Sequence, residues 1–246
     1  MAKRINPPFG FTLRVSSEAK PGSGLGSSGA VGVACVAAFD RAMGVTRSQI
    51  DTAVLANSIE RDDLGKAGGN QDTLGAGLGG INHIVYHQGG DFEAIRPKLS
   101  EEIIAELQRR CVLIYTGEVH LSDHIHADIE TNYELPDSPT RDAMANLARV
   151  ANGQALALAE NDIETFGHLL SENWIHHKLL HPSCDNAVLS KFYDALSEHV
   201  EGGKTCGAGG GGTIFLLAKK ITKRKSKRSA GNWVEKSCRF VWTAVG

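Results

Sequence analysis

The sequence contains few cysteines, no long apolar run and no clear excess of either charge. Its five cysteines are scattered, odd in number and without any CxxC pair, which argues against a disulfide framework and a cysteine-type zinc site and is typical of a reducing compartment. The longest apolar stretch, residues 30–39, is interrupted by Gly32 and is far shorter than the ~20 residues that span a bilayer. The N-terminus lacks an apolar signal core. These absences predict a cytoplasmic protein without a membrane partner.

The charge balance gives no reason to expect nucleic acid as a partner. The formal net charge is −2, from 26 lysines and arginines against 28 aspartates and glutamates. Residues 219–228 are the local exception because seven of the ten are basic, and we interpret this run as a solvated surface rather than a polyanion site. A chain of 246 residues that is 41% apolar can form one large domain or two small ones.

Glycine is locally abundant. Many of the 28 glycines fall in residues 22–32, 65–80 and 202–212, and apolar segments border each cluster. Glycine loses more conformational freedom on folding than any other residue. Dense clusters beside apolar segments therefore indicate places where the backbone approaches another group closely.

Hydrophobic periodicity predicts a mixture of strands and helices. Strands are predicted at residues 11–16, 81–86, 111–115 and 213–218, and helices at 27–43, 47–61 and, with breaks near Pro136 and Pro182, through most of 122–196. This order predicts an α+β fold. An extended segment at residues 95–97 precedes a new helix, so we place a domain boundary there and divide the chain into residues 1–96 and 97–246.

The first glycine cluster has the composition of an anion-binding loop. In residues 21–28, Pro-Gly-Ser-Gly-Leu-Gly-Ser-Ser, a predicted strand enters, the glycines allow a turn and a helix leaves. The N–H groups at a helix start attract anions, and the hydroxyls of Ser27 and Ser28 either cap the helix or bind a metal-coordinated phosphate. No lysine follows the last glycine, and Ser27 stands where GxGxxG needs its third glycine, so neither common nucleotide motif applies. The alternative is a plain helix cap after a tight turn.

Two acidic residues bracket the glycine-rich connection at the start of the second cluster. Glu60 ends a predicted helix, and Asp72 follows the glycine-rich connection. A kinase needs one carboxylate for Mg²⁺ and another near the acceptor hydroxyl. Solvated surface acids are the alternative interpretation.

The third cluster, residues 206–212, contains five glycines and leads directly into a predicted strand. So much glycine is costly unless a ligand or a second loop approaches closely. A flexible linker is the alternative, but the apolar strand that follows argues against it.

In this order the three segments resemble the motifs of the GHMP kinase superfamily. Residues 21–28 match its nucleotide phosphate loop, and residues 204–212 match its C-terminal glycine motif. Residues 59–72 and 79–82 are similar to the central segment of its D-glycero-D-manno-heptose 7-phosphate kinase branch, and residues 98–100 and 112–117 continue this likeness.

The resemblance implies a fold, a reaction and a set of site residues. The fold implied is a two-domain α+β architecture, with an incomplete ribosomal-S5-like N-terminal domain and a ferredoxin-like C-terminal domain. The reaction implied is transfer of the γ-phosphoryl group of ATP, with Mg²⁺, to a sugar or sugar-phosphate hydroxyl, in the similar branch the anomeric one. Ser28 and Glu60 would coordinate Mg²⁺, and Asp72 would be the catalytic carboxylate. The residues implied in ATP binding are Pro21, Gly22, Ser23, Gly24, Leu25, Gly26, Ser27, Ser28, Gly207, Ala208, Gly209, Gly210 and Gly211.

Three departures from the family pattern bear on the acceptor. Members normally begin with a further segment of roughly one hundred residues, so we expect part of the first domain to be absent and a sheet edge near residues 11–15 to be exposed for association. Asn70 stands where the similar branch has lysine, and residues 118–120 replace a segment that commonly carries arginine. An incomplete homologue that binds nucleotide, or acts as an interaction half, is therefore the second hypothesis.

Histidines form two groups at helical spacing. His120, His124 and Asp128 are one group, and His176, His177 and His181 are the other. Because the sequence fixes no third zinc ligand, we interpret both groups as structural or solvated. Cys206, beside the third glycine cluster, is interpreted as a buried filler rather than a nucleophile.

Overall fold

Helices make up most of the described chain, which comprises residues 1–87, 89–118 and 123–220 of a computed structural model. The α-helices are α1 (Ala2–Ile5), α2 (Ser27–Met43), α3 (Gln49–Ser58), α4 (Gln71–Leu78), α5 (Glu101–Arg110), α6 (Asp123–Glu134), α7 (Pro139–Ala159), α8 (Ile163–Lys178) and α9 (Ala187–Leu196). A short π-helix (Ile59–Asp63) extends α3, and a 3-10 helix (Pro182–Cys184) lies between α8 and α9. The strands are β1 (His83–Tyr86), β2 (Phe92–Ile95), β3 (Cys111–Tyr115), β4 (Val200–Thr205) and β5 (Thr213–Ala218).

The first half of the chain is a layer of three helices, α2, α3 and α4, that pack against one another. Small residues lie at their contacts, and a Cβ on Gly32 would lie 3.5 Å from the Cβ of Ala56. This lets the backbones approach closely, while Val36, Ala56 and Ile59 form the buried core of the layer. Burial of such side chains contributes about 1.5–3 kcal/mol each for the larger ones.

The second half contains a three-stranded antiparallel sheet in the order β3-β5-β4. The central strand β5 pairs Leu217 with Cys111 on one side and Ile214 with Thr205 on the other. Leu217 and Ile214 are both fully buried. Apolar residues of α5, α7 and α8 form one buried cluster with Leu217. β1 and β2 form a separate antiparallel hairpin.

Arg110 joins this sheet to the helices around it. Its buried guanidinium donates hydrogen bonds to Glu106, Glu164, Glu201 and the carbonyl of Ala218. A buried charge is tolerated only when it is paired in this way. The network fixes the outer strand β4 and the end of β5, and β4 carries the chain into the third glycine cluster.

The predicted α+β fold class is confirmed. Helix α2 and strands β3 and β5 have the predicted bounds. The predicted break near Pro136 separates α6 from α7, and the break near Pro182 coincides with the 3-10 helix. Strands β2 and β4 were not predicted. In β4, Gly202 and Gly203 have no side chains from which a strand pattern can be recognised.

The predicted strand at residues 11–16 is wrong, because no regular element forms between α1 and α2. A strand needs a neighbour to take its backbone hydrogen bonds, and no strand of the described chain pairs with this segment. Phe11, Leu13 and Val15 are 47%, 44% and 54% exposed, although Phe11 meets the ring of Phe39 edge-on at 4.8 Å. The apolar side chains are therefore exposed as expected, but the sheet edge predicted for association does not exist.

Two other predictions fall largely on residues outside the described ranges. Most of the basic run at 219–228, together with residues 119 and 120 of the segment beginning at Glu118, lies outside them. The domain boundary after residue 96 stays a prediction. Within the described ranges, no helix combines the length and apolar character needed to cross a bilayer.

Candidate functional site

The loop at residues 21–28 has a backbone that depends on its glycines. The φ angles are +71° at Gly22, +75° at Gly24 and +66° at Gly26, a region that other residues rarely adopt. Gly26 occupies the capping position of α2, and no side chain of the described residues caps the first amides. Unpaired N–H groups and the helix dipole at this end favour an anion. Ser27 and Ser28 therefore do not cap the helix.

Buried hydroxyl groups without partners surround this loop. The Oγ atoms of Ser23 and Ser27 and the Oγ1 atom of Thr213 are buried and have no hydrogen-bond partner among the described residues. An unsatisfied buried polar group costs about 1–3 kcal/mol. Their location in the first loop and just after the third glycine cluster fits a polar ligand, such as a polyphosphate, that would accept these hydrogen bonds.

The first and third glycine clusters are in direct contact although about 180 residues separate them. A Cβ on Gly24 would lie 2.7 Å from the carbonyl oxygen of Cys206, and a Cβ on Gly212 would lie 2.7 Å from the carbonyl oxygen of Ser23. A Cβ on Gly207 would lie 3.0 Å from the Cα of Gly24. Only glycine fits at such a backbone-to-backbone contact. The structure thus brings together the two sets of residues predicted to bind ATP.

Hydrogen bonds from several elements hold the third cluster in place. The amide of Gly210 donates to the carbonyl of Cys184 at 2.7 Å, and the side-chain amide of Asn186 donates to the carbonyl of Gly210 at 2.7 Å. Thr116 donates its hydroxyl to the carbonyl of Gly212 at 2.8 Å. The loop is therefore fixed against the first one despite its glycine content.

Ser28 and Glu60, the predicted metal ligands, lie side by side. The hydroxyl of Ser28 donates a hydrogen bond to Oε1 of Glu60 at 2.5 Å, and Nζ of Lys66 lies 3.8 Å from the same oxygen. Glu60 belongs to the π-helix that extends α3, an irregularity often found at functional sites. Two adjacent oxygen donors, one of them charged, suit Mg²⁺.

Asp72, the predicted catalytic carboxylate, lies in the first turn of α4 beside the loop at residues 21–28. A Cβ on Gly26 would lie 3.2 Å from its Cγ. Its side chain is open to a cleft, but the protein around it withdraws it partly from water, and this desolvation raises the pKa of Asp72. The charge of Glu60 raises the pKa further, whereas His126 and Lys204 oppose the shift. A raised pKa makes a carboxylate a stronger base, which suits it to accept a proton.

Comparison with known proteins supplies the family of the chain. The family model "GHMP kinases N terminal domain" matches residues 1–80, and "GHMP kinases C terminal" matches residues 155–235. A D-glycero-alpha-D-manno-heptose 7-phosphate kinase of Campylobacter jejuni is 30% identical over 234 residues, which are 93% of this chain and 68% of that protein. The chain belongs to the GHMP kinase family.

Other relatives of this GHMP kinase family member carry different names. A mevalonate kinase of Thermococcus sibiricus is 30% identical over 214 residues, 85% of this chain and 60% of that protein. The solved structure of a D-glycero-D-manno-heptose 1-phosphate kinase from Bacteriodes thetaiotaomicron superimposes with a TM-score of 0.63 at 28% identity, over 82% of this chain and 55% of that one. The chain thus spans only part of the length of these relatives, and they differ in the substrates they are named for.

A cleft of about 700 Å³ lies beside the loop at residues 21–28. Asp72, Lys204 and the side-chain amides of Gln71, Asn82, Gln154 and Asn173 line it together with apolar residues. Across its rim, His83 Nε2 lies 3.0 Å from Oδ1 of Asn152, which connects β1 with α7. A wall that mixes amides with apolar surface suits a small polyhydroxylated molecule.

Asn70, which stands where the similar branch has lysine, is held by the neighbouring hairpin. The hydroxyl of Tyr86 donates a hydrogen bond to Oδ1 of Asn70 at 2.7 Å. Desolvation, with the charge of Asp72, raises the pKa of Tyr86, so the phenol stays protonated and can donate. The substitution thus replaces a mobile cation by a neutral group of fixed position.

His177 supports the third glycine cluster from α8. Its ring is buried, and Nε2 donates to the carbonyl of Ala208 at 3.1 Å. Desolvation is the largest cause that lowers the pKa of His177 to about 4, the charge of Lys204 adds to it, and the bond to Ala208 opposes it. The structural interpretation of this histidine is therefore confirmed. Among the described residues, no three metal-ligating side chains form a cluster.

Acid is expected to weaken the fold through His177. Its pKa is about 4 when folded against an ordinary 6.5, so between these values only the unfolded chain takes up the proton. The contribution to stability is complete above pH 6.5 and is lost as the pH falls toward 4. Between about pH 7.5 and about pH 5 the free energy of unfolding should fall by about 2 kcal/mol more in the wild type than in His177→Gln.

Urea unfolding at the two pH values measures this difference. Gln at position 177 can still donate to the carbonyl of Ala208 but does not titrate. His199, an exposed residue, provides the matched control, and His199→Gln should keep the pH dependence of the wild type. Equal pH dependence in the wild type and in His177→Gln would contradict the assignment.

Three residues around this site were not predicted: Lys204, His177 and Asn186. The sequence indicates Lys204 only as the first residue of the glycine motif, because strand β4 has no recognisable pattern. The sequence does contain a signal for Lys204, since it is a charged residue at the end of a strand that enters a glycine loop.

Desolvation raises the pKa of Cys206, so its thiol stays protonated, which agrees with the interpretation of Cys206 as a buried filler.

Proposed function

We propose that this chain is an ATP-dependent kinase that transfers the γ-phosphoryl group to a hydroxyl of a sugar or sugar phosphate, with Mg²⁺. The observation that carries the proposal is the convergence of three groups at the start of α2. The glycine-capped start of α2 touches Asp72, and two residues further along α2 Ser28 is bonded to Glu60. An anion site, a pair of metal ligands and a base are the parts that phosphoryl transfer requires.

Each group has a separate task in this proposal. The free amides at the start of α2 and the hydroxyls of Ser23 and Ser27 bind phosphate oxygens. Ser28 and Glu60 hold the magnesium ion. ATP, when bound, supplies the phosphoryl group. Asp72 orients the acceptor hydroxyl and takes its proton, so the protein positions and neutralises charge without forming a covalent intermediate.

The acceptor we propose is a heptose 7-phosphate, phosphorylated at its anomeric hydroxyl. Support comes from the name of the Campylobacter jejuni relative and from the amides that line the cleft. Asn70, held by Tyr86, is neutral where the similar branch has lysine, and this difference is the reason to compare heptose 7-phosphate with unphosphorylated heptose. Mevalonate is the acceptor in the name of another relative and therefore belongs in the same experiment.

The test uses the purified 246-residue chain. Calorimetry measures the binding of Mg²⁺-ATP, and ADP release measures transfer to heptose 7-phosphate, unphosphorylated heptose, galactose and mevalonate. We expect ATP binding that requires Mg²⁺ and turnover with heptose 7-phosphate. ATP binding without any turnover would support the second hypothesis, a nucleotide-binding part whose chemistry is completed elsewhere. A chain that binds no ATP would contradict both.

Removing the charge of Glu60 should raise the requirement for magnesium. In Glu60→Gln one charged oxygen donor is lost while the shape and the contact with Ser28 are kept, so the Mg²⁺ concentration for half-maximal ATP binding should rise by about tenfold or more. Asp62 lies two residues away in the same π-helix and is 59% exposed. Asp62→Asn is the control and should leave the requirement unchanged. An unchanged requirement in Glu60→Gln would remove Glu60 from the metal site.

A further inference from the structure

Tyr86 is a hydroxyl-bearing residue at the cleft to which the proposed function gives no task. It is the last residue of β1, and by the strand period of two its side chain is on the same face as that of Ile84. Both residues line the cleft that Asp72 also lines. Tyr86 is 51% exposed, so a molecule in the cleft can reach its phenol.

Two contacts fix the direction of this phenol. Its ring lies beside that of Phe92, the residue opposite it on β2, with 6.3 Å between the ring centroids. Its hydroxyl donates a hydrogen bond to Oδ1 of Asn70 at 2.7 Å. Asn70 immediately precedes α4, and Asp72 is in the first turn of that helix. The bond therefore ties the phenol to the helix start that carries the proposed base.

The hairpin of β1 and β2 has a second attachment to α4. Arg96, the residue after β2, donates from Nη2 to the carbonyls of Leu78 and Gly79 at 2.6 Å and 3.0 Å. This contact holds the base of the hairpin against the end of α4. The bond from Tyr86 to Asn70 is therefore not needed to attach the hairpin, and a task in the cleft is open to it.

The direction of the hydrogen bond determines what the phenol can bind. Desolvation raises the pKa of Tyr86, so the phenol keeps its proton, and that proton is directed to Asn70. The oxygen of Tyr86 then has only lone pairs to offer a further partner. It can accept a hydrogen bond from a hydroxyl group, but it cannot pair with an ether oxygen or a phosphate dianion, which are acceptors themselves.

The proposed reaction leaves one hydroxyl that fits. Asp72 takes the proton of the anomeric hydroxyl, and the anomeric carbon has two neighbours in the sugar ring. One is the ring oxygen, which has no proton to donate. The other is the carbon that carries the 2-hydroxyl. Of the two, only the 2-hydroxyl can donate a hydrogen bond to the phenol of Tyr86.

We propose that Tyr86 is a specificity-determining residue that accepts a hydrogen bond from the acceptor hydroxyl next to the one that is phosphorylated. The cleft then selects acceptors with two adjacent hydroxyl groups. This inference rests on the proposed kinase function and adds a feature that the acceptor must have. Asn70 keeps the phenol in the orientation that receives this hydrogen bond.

Removing either partner of the hydrogen bond tests the inference. Calorimetry with Mg²⁺ and a non-hydrolysable ATP analogue measures the affinities for heptose 7-phosphate and for its 2-deoxy analogue. In the wild type, the loss of the 2-hydroxyl should weaken binding by about fivefold. Tyr86→Phe should weaken the binding of heptose 7-phosphate by about fivefold and leave the affinity for the 2-deoxy analogue within about twofold of the wild-type value.

A matched variant and a folding measurement serve as controls. Tyr133 on α6 is 45% exposed and is not one of the described residues that line the cleft, so Tyr133→Phe should change neither affinity. Both variants should bind the ATP analogue as the wild type does. Thermal unfolding checks that they are folded, and the comparison of the two acceptors in the wild type needs no variant.

Equal weakening of both acceptors in a folded Tyr86→Phe would mean that the bond to Asn70 is structural. Unchanged binding of heptose 7-phosphate in this variant, or equal binding of both acceptors to the wild type, would mean that the phenol makes no such contact. Each of these results overturns the inference while the proposed function stands. A wild-type chain that binds the ATP analogue but neither acceptor overturns the inference together with the proposed acceptor, and one that does not bind the analogue overturns the kinase function as well.

Discussion

Replacing Asp72 by asparagine is expected to slow phosphoryl transfer by about 10³-fold, because a general base contributes roughly 10²–10⁴-fold to such reactions. Asparagine has the same shape and keeps the contact with Gly26 at the start of α2, so the nucleotide loop should be undisturbed. It cannot accept the proton of the acceptor hydroxyl. The affinity for Mg²⁺-ATP should therefore change by less than about threefold, and the effect should appear in kcat.

A matched control separates the role of Asp72 from a general effect of removing an acid. Asp142 is likewise in the first turn of a helix, α7, and is exposed. Asp142→Asn should leave both kcat and the affinity unchanged. Steady-state kinetics with the best acceptor, together with calorimetry of nucleotide binding, measure both quantities. Wild-type turnover in Asp72→Asn would exclude Asp72 as the base, and a large loss of ATP affinity would indicate that it acts in binding instead.

Local pattern was sufficient to predict most of the helices and the central strand. α2 was found with its bounds because small apolar residues repeat at helical spacing after a glycine-rich start, and β5 because six apolar or β-branched residues follow a glycine run. Strand β4 could not be found in this way. A Cβ on Gly202 would overlap the carbonyl oxygen of Gly167 in α8, so the contact that fixes this strand requires the absence of a side chain.

The predicted strand at residues 11–16 is wrong for the opposite reason. Its alternation of apolar and polar residues, from Phe11 to Val15, is typical of a strand, but pairing depends on a neighbour that local sequence does not specify. Propensity alone does not hold a single strand in place.

The candidate site was predicted mainly through resemblance rather than through spacing. Spacing alone indicated an anion-binding loop and left Glu60 and Asp72 as weak candidates. The structure adds that the loop, Glu60 and Asp72 are neighbours. Contacts between residues so far apart in sequence depend on how the helices pack, which periodicity does not report. Lys204 was overlooked because its significance comes from the cleft it faces and not from the residues beside it in the chain.

Replacing Gly24 by alanine should reduce both stability and nucleotide affinity. A methyl group there would lie 2.7 Å from the carbonyl oxygen of Cys206, and the φ angle of +75° is unfavourable for alanine. The left-handed conformation costs about 1–2 kcal/mol and overpacking about 1–3 kcal/mol, so the free energy of unfolding should fall by about 3 kcal/mol. Because the obstacle is backbone, the two glycine loops must separate, and ATP affinity should fall by about 100-fold or more.

Gly44 makes this prediction specific to the contact between the loops. It ends α2 with a φ angle of +69° and nothing lies within 4 Å of a Cβ placed there. Gly44→Ala should therefore cost only the conformational part, about 1–2 kcal/mol, and leave ATP affinity unchanged. Chemical denaturation and calorimetry on both variants measure the difference. If the two variants lose the same stability and both bind ATP as the wild type does, the close approach of Gly24 to Cys206 has no part in nucleotide binding.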